Sequence, residues 1–570
     1  MKKLLRIDLT NRQARYEAIP SAYAHLGGRG LTSIIVSEEV PATTPPLGGG
    51  NKLAFAAGIL AGTSAPNNGR LSIGAKSPLT NGIKETNAGG SAAQRLARLG
   101  IQAVIVEGAA KDLCILKITK NGVAFLPGEA LKGSGNYEVI DRLKTEHGND
   151  IAVITIGPAG ERCEKAASIG VTAPDFSVRM AGRGGLGAVM GSKHLKAIVI
   201  EDSKGGEVEV ADPGKVKQAA NDLSKGLLTH PLMEGLKQLG TPILVNMVNA
   251  AGCLPTKNYS MGQFDGAALI SGEHMVETMA KRPNAQLVHR CMTGCIIGCS
   301  NVYTDEAGME IVSGLEYETL GLVGANCMID NLDDIARINR LCNDLGLDTM
   351  EVGAALAVAM EGGVLPWGDG KAAYALVKEV AQGTERGIMI GNGCVVTGKK
   401  LGVTRIPQVK GQSLAAYDPR VLKGTGVTYS TSPMGADHTC GNALPGPANP
   451  EYNPAASTGQ ALVSGFLQAY FAAIDSLGLC LFAALPLLDI PDLQTHLIAC
   501  ATAVTGQDAD ENYLISLGRS VLTTEKKFNR AAGFTAKEDR LPEFFSKEPL
   551  VPSGLTFDVA DAEIDSTLQW

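Results

Sequence analysis

Between His289 and Tyr303 the chain reads HRCMTGCIIGCSNVY, which spaces Cys291, Cys295 and Cys299 as C-x3-C-x3-C with small residues between them. On a helix this spacing lines all three sulfurs along one face. In a loop, Gly294 and Gly298 let the backbone wrap a compact object. Three thiols so close leave one over from any disulfide pairing. They suit an iron–sulfur cluster or a thiophilic metal, given a fourth ligand from elsewhere. The bland reading is three buried apolar fillers.

A second pattern bears on that missing ligand. Asn343-Asp344-Leu345-Gly346-Leu347-Asp348 and Asp475-Ser476-Leu477-Gly478-Leu479-Cys480 share one frame, [N/D]-x-x-G-L-[D/C]. Each predicts a helix end turning on glycine, which leaves backbone amides and a side-chain acceptor to face a ligand. Two such frames suggest a ligand with two similar halves, against the plain reading of two glycine C-caps. The second frame ends in Cys480, a candidate fourth thiolate.

These residues need elements to hold them. Residues 1 to about 205 read as mostly β with Gly/Pro turns. Leu4–Asp8 and Gln13–Glu17 flank a hairpin signal at Thr10-Asn11-Arg12, and short apolar runs follow at 53–57, 103–106, 114–118, 151–156 and 197–200. One helix is expected over Ser91–Gly100, with Gly100 as its C-cap. The stretch Glu201–Lys215 reads as a linker. From Pro213 the period turns helical and stays so, over 216–227, 325–345, 354–361, 372–381 and 493–504. A polar break near Lys399–Gln412 divides this part. The expectation is an α+β protein: a β-rich domain over 1–205, a helical domain over 206–410 with the cysteine triplet, and a helical domain over 411–570 with Cys480.

Composition narrows the function classes. A chain of 570 residues with 45% hydrophobic and 19% charged residues is globular, and a net charge of −7 gives no reason to expect nucleic acid or an anionic membrane as partner. Sixty-nine glycines, about 12%, exceed the usual share of roughly 7% and imply much backbone in close approach. The start MKKLLRIDLT lacks the apolar core of a secretory signal. The most apolar stretch, Ala461–Leu488, is broken by Gln468, Asp475 and Pro486 and reads as a buried helix pair, not a membrane span. Twelve cysteines then point to a reducing cytoplasm and to metal chemistry before disulfides.

The separated motifs, in their order, resemble the aldehyde ferredoxin oxidoreductases over nearly the whole chain. They are Gly27-Gly28-Arg29-Gly30; Gly69-Arg70 with Lys76-Ser77-Pro78-Leu79-Thr80; Asn87-Ala88-Gly89-Gly90; the run Gly182 to Lys193; Glu316-Tyr317-Glu318; the two frames; and Gly435-Ala436-Asp437-His438. The resemblance implies a tungsten (or molybdenum) bis-pterin cofactor beside one [4Fe–4S] cluster, buried where the domains meet. It implies cluster ligation by Cys291, Cys295, Cys299 and Cys480, with the C-x3-C-x3-C spacing departing from the C-x2-C-x3-C of many members. The frames become two pterin grips, Asn343, Gly346, Leu347 and Asp348 in one and Asp475, Gly478 and Leu479 in the other. Asn343 stands where an aspartate is expected; its amide oxygen still accepts, without charge. Arg70 and Arg183 would pair with cofactor phosphates, and Asn87 with the Gly184 carbonyl would hold Mg2+, an ion that takes hard oxygen ligands.

Gly182-x-Gly184-x-x-Gly187 also fits a dinucleotide fingerprint, but no apolar strand is expected before it, and the pattern alone is weak. For proton chemistry the resemblance points to Glu318, with Glu316 as the alternative, and to His438; Tyr417 is a further pocket candidate. A carboxylate of raised pKa suits a base, and a histidine can donate to a developing oxyanion. The other cysteines (Cys114, Cys163, Cys253, Cys327, Cys342, Cys394, Cys440 and Cys500) read as filler. The implied activity is oxidation of a small aldehyde to its acid in an oxygen-sensitive cytoplasmic enzyme, with electrons leaving to ferredoxin or a ferredoxin-like subunit. Homo- or hetero-oligomerisation is left open. The alternatives are a same-fold reductase of another carbonyl or aromatic thioester, and an iron–sulfur electron relay without catalysis.

Overall fold

The first turn of the chain forms as its sequence asks. Strands β1 (Lys3–Asp8) and β2 (Gln13–Ala18) pair antiparallel, and Arg12, at φ 52°, takes the left-handed turn position. Asp8 accepts hydrogen bonds from the Thr10 and Asn11 amides, which fixes that turn. A computed structural model describes residues 2–202, 206–446 and 449–570. It divides into two compact units that are not consecutive stretches of chain. One gathers Met1–Met233, Arg290–Ile297 and Ala469–Gly533; the other gathers Glu234–His289, Gly298–Gln468 and Phe534–Trp570.

The first unit is built on two six-stranded mixed sheets. With β3 (Leu53–Ala57), β4 (Leu71–Lys76), β5 (Ile83–Ala88) and β6 (Ile101–Glu107), the first sheet runs β2-β1-β6-β3-β4-β5. The second joins β7 (Cys114–Thr119), β8 (Gly122–Pro127), β9 (Ala152–Thr155), β10 (Ile169–Thr172), β11 (Val178–Ala181) and β12 (Leu195–Glu201) in the order β11-β10-β9-β12-β7-β8. All five apolar runs of the sequence lie in these strands. Leu5, Phe55, Ile73 and Val104 of one sheet and Leu116, Ile154 and Ile198 of the other share a single core. Period-two alternation sends the other side of each strand to a second layer. Leu4, Ala54 and Ile105 pack under the helix Gly28–Glu39, and Ile115, Val153 and Val199 under the helix Asn136–His147.

The expected helix near Ser91 forms as Ala92–Arg98, and Gly100 follows at φ 71°. Two helices, Gly28–Glu39 and Asn136–His147, interrupt the β-rich reading. Of the expected linker Glu201–Lys215, residues 203–205 lie outside the described residues. The helix Pro213–Leu228 then begins at Asp212, whose side chain accepts from the Lys215 amide.

A second correction concerns the run at Gly182. A strand does precede it: β11 ends at Ala181, and a helix, Leu186–Ser192, follows. The dinucleotide reading still fails, for a different reason. β11 is a four-residue edge strand paired antiparallel to β10, whereas the nucleotide motif needs parallel strands joined by a crossover helix.

The second unit is largely helical, with a side-chain N-cap at several helix starts. Asn331, Asp348, Asp369 and Thr384 each accept a backbone amide at the head of the helices Leu332–Leu345, Thr349–Glu361, Gly370–Gln382 and Glu385–Gly391. The helix expected from Ala325 therefore starts later. Ala325–Cys327 is one 3-10 turn, Met328 at φ 61° breaks it, and Asn331 restarts the chain. The helical period is also interrupted by a three-stranded antiparallel sheet, β13 (Gln286–His289), β14 (Ser300–Thr304) and β15 (Glu310–Ser313).

Within Ala461–Leu488 the expected helix pair is one long helix, Gln460–Leu477, and two single turns, Leu481–Ala484 and Pro486–Asp489. Among the described residues no helix is long and apolar enough to cross a membrane.

Candidate active site

The cysteine segment is a loop, not a helix. It connects β13 to β14, and Gly294 and Gly298 take φ 75° and 69°, the left-handed turns that a wrapping backbone needs. Cys295 and Cys480 are buried and Cys291 is half-buried. Burial pushes the Cys291 thiol up to about 12, and the neighbouring Cys480 and Cys295 add to that push. Burial also raises Cys480, while the Arg70 guanidinium and the Phe482 and Ala483 amides pull the other way. Around the thiols stand polar hydrogens: Asn67 donates its side-chain amide to Cys295 Sγ at 3.6 Å, and the Asn67 carbonyl takes the Cys480 amide at 2.9 Å. N–H groups and a guanidinium beside buried sulfur fit a set of thiolates bound to iron, since hydrogen bonds to sulfur are among the levers on such clusters. Among the described residues no three His, Cys, Asp or Glu side chains gather as ligands of a single ion. Cys299 lies in the second unit, two residues beyond the boundary.

The two frames have one backbone. At the first, the Leu347 amide reaches Cys342 O at 2.8 Å and Gly346 sits at φ 72°; at the second, the Leu479 amide reaches Ile474 O at 3.2 Å and Gly478 sits at φ 75°. Both are six-to-one Schellman closures. Each frame also ends on the N-cap of the next helix: Asp348 accepts the Met350 amide at 3.0 Å, and Cys480 precedes Leu481–Ala484. The C-cap reading and the shared-frame reading describe the same atoms. Asn343, Gly346, Leu347 and Asp348 belong to the second unit, and Asp475, Gly478 and Leu479 to the first.

Asp475 is the centre of a polar chain in the first unit. Its carboxylate accepts from Asn87 Nδ2 at 3.2 Å and from Arg29 Nη1 at 3.4 Å. Arg29 is fully buried, and Glu525 receives its guanidinium in a two-pronged pair at 2.8 and 2.9 Å. Arg70, just ahead of β4, donates to Asn87 Oδ1 at 2.5 Å. Burial and the Asp475 charge push the Glu85 carboxyl up to about 8.

Three glycines allow the close approach. A Cβ on Gly28 would stand 2.1 Å from Asp475 O, one on Gly58 2.3 Å from Gly478 Cα, and one on Gly184 2.4 Å from the Lys84 side chain. Arg183 is buried in the turn Arg183–Gly185, where Gly184 and Gly185 both have positive φ. The Gly184 carbonyl takes Ser77 Oγ at 2.7 Å. It and Asn87 Oδ1 each keep a second lone pair for a hard cation. Tight glycines, buried guanidiniums and carbonyl oxygens fit an anionic, phosphate-bearing cofactor with a cation.

In the second unit Glu318 and His438 meet. Nε2 of His438 is 3.2 Å from Glu318 Oε1, and the Ala416 amide donates to Glu318 Oε2 at 2.9 Å. The side chains are 16% and 13% exposed, so the pair is shielded but reachable. Tyr417 lies over the imidazole at 5.5 Å between ring centres, and Tyr317 lies 5.2 Å from Tyr417. Burial, with Glu318 adding to it, raises both phenols well above their ordinary value, so they stay neutral. Glu318 sits in the turn Tyr317–Thr319, followed by a π-helical turn, Leu320–Gly324, of a kind frequent at functional sites. Glu316 is not brought to His438: its carboxylate accepts from Thr241 and Ser300.

Sequence reading missed the residues that hold this pair. Gln412, fully buried, donates to Ala436 O at 2.5 Å, two residues before His438. The Ser413 amide is held in turn by buried Glu351 at 2.9 Å. The segment 412–417 thus grips the His438 turn at one end and Glu318 at the other. A lone glutamine in a polar break carries no local signal of this.

Profiles of known families match both parts of the chain. One described as "Aldehyde ferredoxin oxidoreductase, N-terminal domain" matches residues 4–202, and one described as "Aldehyde ferredoxin oxidoreductase, domains 2 & 3" matches 218–569. The chain is 33% identical to the tungsten-containing aldehyde ferredoxin oxidoreductase of Pyrococcus furiosus, over 97% of this chain and 92% of that one. It is 32% identical to the protein of the same name from Thermococcus kodakarensis over the same shares. A more distant relative, 28% identical over 78% of this chain and 75% of its own, is "Aliphatic sulfonate oxidoreductase, WOR-like subunit" of Pyrococcus furiosus. Among solved structures, the active site complex BamBC of benzoyl coenzyme A reductase with 1,5 dienoyl-CoA superposes at a TM-score of 0.80, covering 99% of this chain and 92% of that one. At 19% identity, that likeness shows the fold alone.

Proposed function

The chain belongs to the aldehyde ferredoxin oxidoreductase family, and from that membership we propose that it oxidises a small aldehyde to the carboxylic acid and passes the electrons to a ferredoxin or ferredoxin-like subunit. The reaction is RCHO + H2O → RCOOH + 2H+ + 2e−. A tungsten (or molybdenum) bis-pterin, when bound, would supply the two-electron acceptor, and a [4Fe–4S] cluster a one-electron outlet. Cys291, Cys295, Cys299 and Cys480 would hold the cluster, and Arg70, Arg183, Asn87 and the Gly184 carbonyl would hold the phosphates and a Mg2+ ion. Asp475 and Asn343 would accept hydrogen bonds from the two pterins.

The observation that carries the reading is the Glu318–His438 contact of 3.2 Å in a shielded setting. Glu318 takes the proton released as water adds to the aldehyde carbon. His438 shares that proton across the contact and orients the carbonyl oxygen through its imidazole. Tyr417 and Tyr317, neutral and apolar in body, exclude water from the face they cover. Ala416 fixes the carboxylate by its amide. The reading carries with it a reducing, oxygen-poor cytoplasm.

Elemental analysis of anaerobically purified protein, with aldehyde-dependent reduction of a viologen dye, tests it. About one tungsten or molybdenum and about four irons per chain, with turnover, are expected. Iron without either heavy metal, from a host able to make the cofactor, overturns catalysis and leaves an electron relay. Heavy metal without aldehyde turnover overturns the substrate and points to another carbonyl.

A further inference from the structure

Glu316 stands two residues before Glu318, yet its carboxylate is given wholly to two buried hydroxyls. Thr241 Oγ1 donates to Oε2 at 2.6 Å and Ser300 Oγ to Oε1 at 2.9 Å. Thr241 in turn accepts the Tyr317 amide at 2.9 Å, at the head of the turn that carries Glu318. One residue further along β14, the Asn301 side chain accepts the Leu315 amide at 3.1 Å and donates to the Leu315 carbonyl at 2.9 Å. The Gly314 amide closes the same ladder on Asn301 O at 2.8 Å. Thr241, Ser300 and Asn301 are all buried. Water therefore does not compete for these bonds, and an unmade one costs about 1–3 kcal/mol.

The sequence neighbours of these groups give the arrangement its meaning. Ser300 follows Cys299, and Gly240 precedes Thr241. A Cβ on Gly240, at φ 63°, would stand 2.8 Å from the Cys299 carbonyl. The strand that begins beside Cys299 is thus stitched through Asn301 to the Leu315 backbone and through Ser300 to the Glu316 carboxylate, which also takes the Thr241 hydroxyl that accepts the Tyr317 amide. Nothing in the stitch can slide without breaking a buried hydrogen bond.

We propose that Glu316 is a positioning residue that couples Cys299 to Glu318, so that seating an iron–sulfur cluster on Cys299 sets where the Glu318 carboxylate stands. This rests on the reading of Cys299 as a cluster ligand and Glu318 as the base. It assigns Glu316 no contact with substrate. A tether on Cys299 would stiffen Ser300 and Asn301 and, through their hydrogen bonds, Leu315–Tyr317 and the turn that carries Glu318.

Amide hydrogen exchange over 315–320, in full-length protein with and without its reconstituted cluster, reads the coupling directly. Cluster assembly is expected to slow exchange there by about tenfold or more in the natural protein. Ser300→Ala and Thr241→Val, which delete single hydroxyls, are expected to abolish most of that slowing and to lower kcat by about tenfold to a hundredfold, with iron content kept. Should either variant fold poorly, Glu316→Gln tests the same link, since its amide still offers one acceptor and one donor to the two hydroxyls. That variant is expected to keep part of the protection. Cluster assembly that leaves exchange at 315–320 unchanged, or variants that keep the full slowing, overturn the coupling even if aldehydes are oxidised. A slowed segment in protein without aldehyde turnover upholds the coupling and sinks the substrate reading alone. A chain that assembles no cluster overturns both.

Discussion

Oε1 of Glu318 and Nε2 of His438 lie 3.2 Å apart, although one residue comes from a turn ahead of a π-helical segment and the other from a 3-10 turn far along the chain. On the other side of the ring, Nδ1 stands 3.9 Å from Asp437 Oδ1, beyond a hydrogen bond.

Removing either member should separate binding from proton transfer. Glu318→Gln keeps the shape and the Ala416 contact but cannot take a proton. Its kcat is expected to fall by about 10²–10⁴ with tungsten and iron content unchanged. The natural enzyme is expected to lose kcat/KM toward acid as its base is protonated, and that fall should disappear in the variant. A pH–rate profile checks this; an intact acidic limb in Glu318→Gln would assign the base elsewhere.

Gln412 gives a prediction at one remove. Gln412→Leu fills similar space but releases Ala436, and with it the His438 turn. An expected loss of about tenfold in kcat should come with a small change in KM and unaltered circular dichroism. A variant with natural kcat would show that the turn is held by other means.

Gly58 and Gly478 touch backbone to backbone, with less room for a methyl than a carbon contact needs. Gly478 is also left-handed, which costs an alanine about 1–2 kcal/mol before any clash. Gly58→Ala, with no such φ penalty, isolates the steric part. It should push the Asp475–Cys480 frame away and lower the pterin and iron retained through purification, measured by cofactor fluorescence and iron assay. Full retention would free the second frame from any role in holding the cofactor.

Glu164 predicts a dependence on pH that is separate from catalysis. Its carboxyl is 3% exposed and is pushed up from 4.5 to about 7, chiefly by burial, with Arg162 offsetting part of it. The folded state therefore holds this proton more tightly than the unfolded state. The stabilisation is complete below about pH 4.5 and is lost as pH rises through about 7, by up to about 3 kcal/mol. Glu164→Gln cannot ionise. Its stability at pH 8, relative to pH 5, should exceed that of the natural protein in urea titrations. Parallel pH dependences would mean that Glu164 is ionised when folded.

Several of these features were legible in the residues and several were not. The spacing of the cysteine triplet was plain in the residues, but it served helix and loop alike. Only the left-handed Gly294 and Gly298 decide between them. The two frames read correctly because a Schellman turn is local: a helix, a glycine and an apolar residue suffice. The helix Asn136–His147 carries Val139, Ile140 and Leu143 at helical spacing, but it is short and set among strands. The helix Gly28–Glu39 carries glycines and β-branched residues that mask it. β13 and β15 are four-residue strands with mixed polarity, too short for a period to show. Thr241, Ser300, Asn301 and Gln412 could not be found at all, since their meaning lies in partners reached only through the tertiary fold.

The chain enters the first unit three times, and the last entry, Ala469–Gly533, brings Asp475, Cys480 and the Glu525 that neutralises buried Arg29. A ribosome makes Glu525 496 residues after Arg29. At about 5–20 residues per second, the growing chain spends tens of seconds with that charge unmatched. A fragment ending at Met233 would hold Arg29 without its partner and would be a client for chaperones rather than a domain.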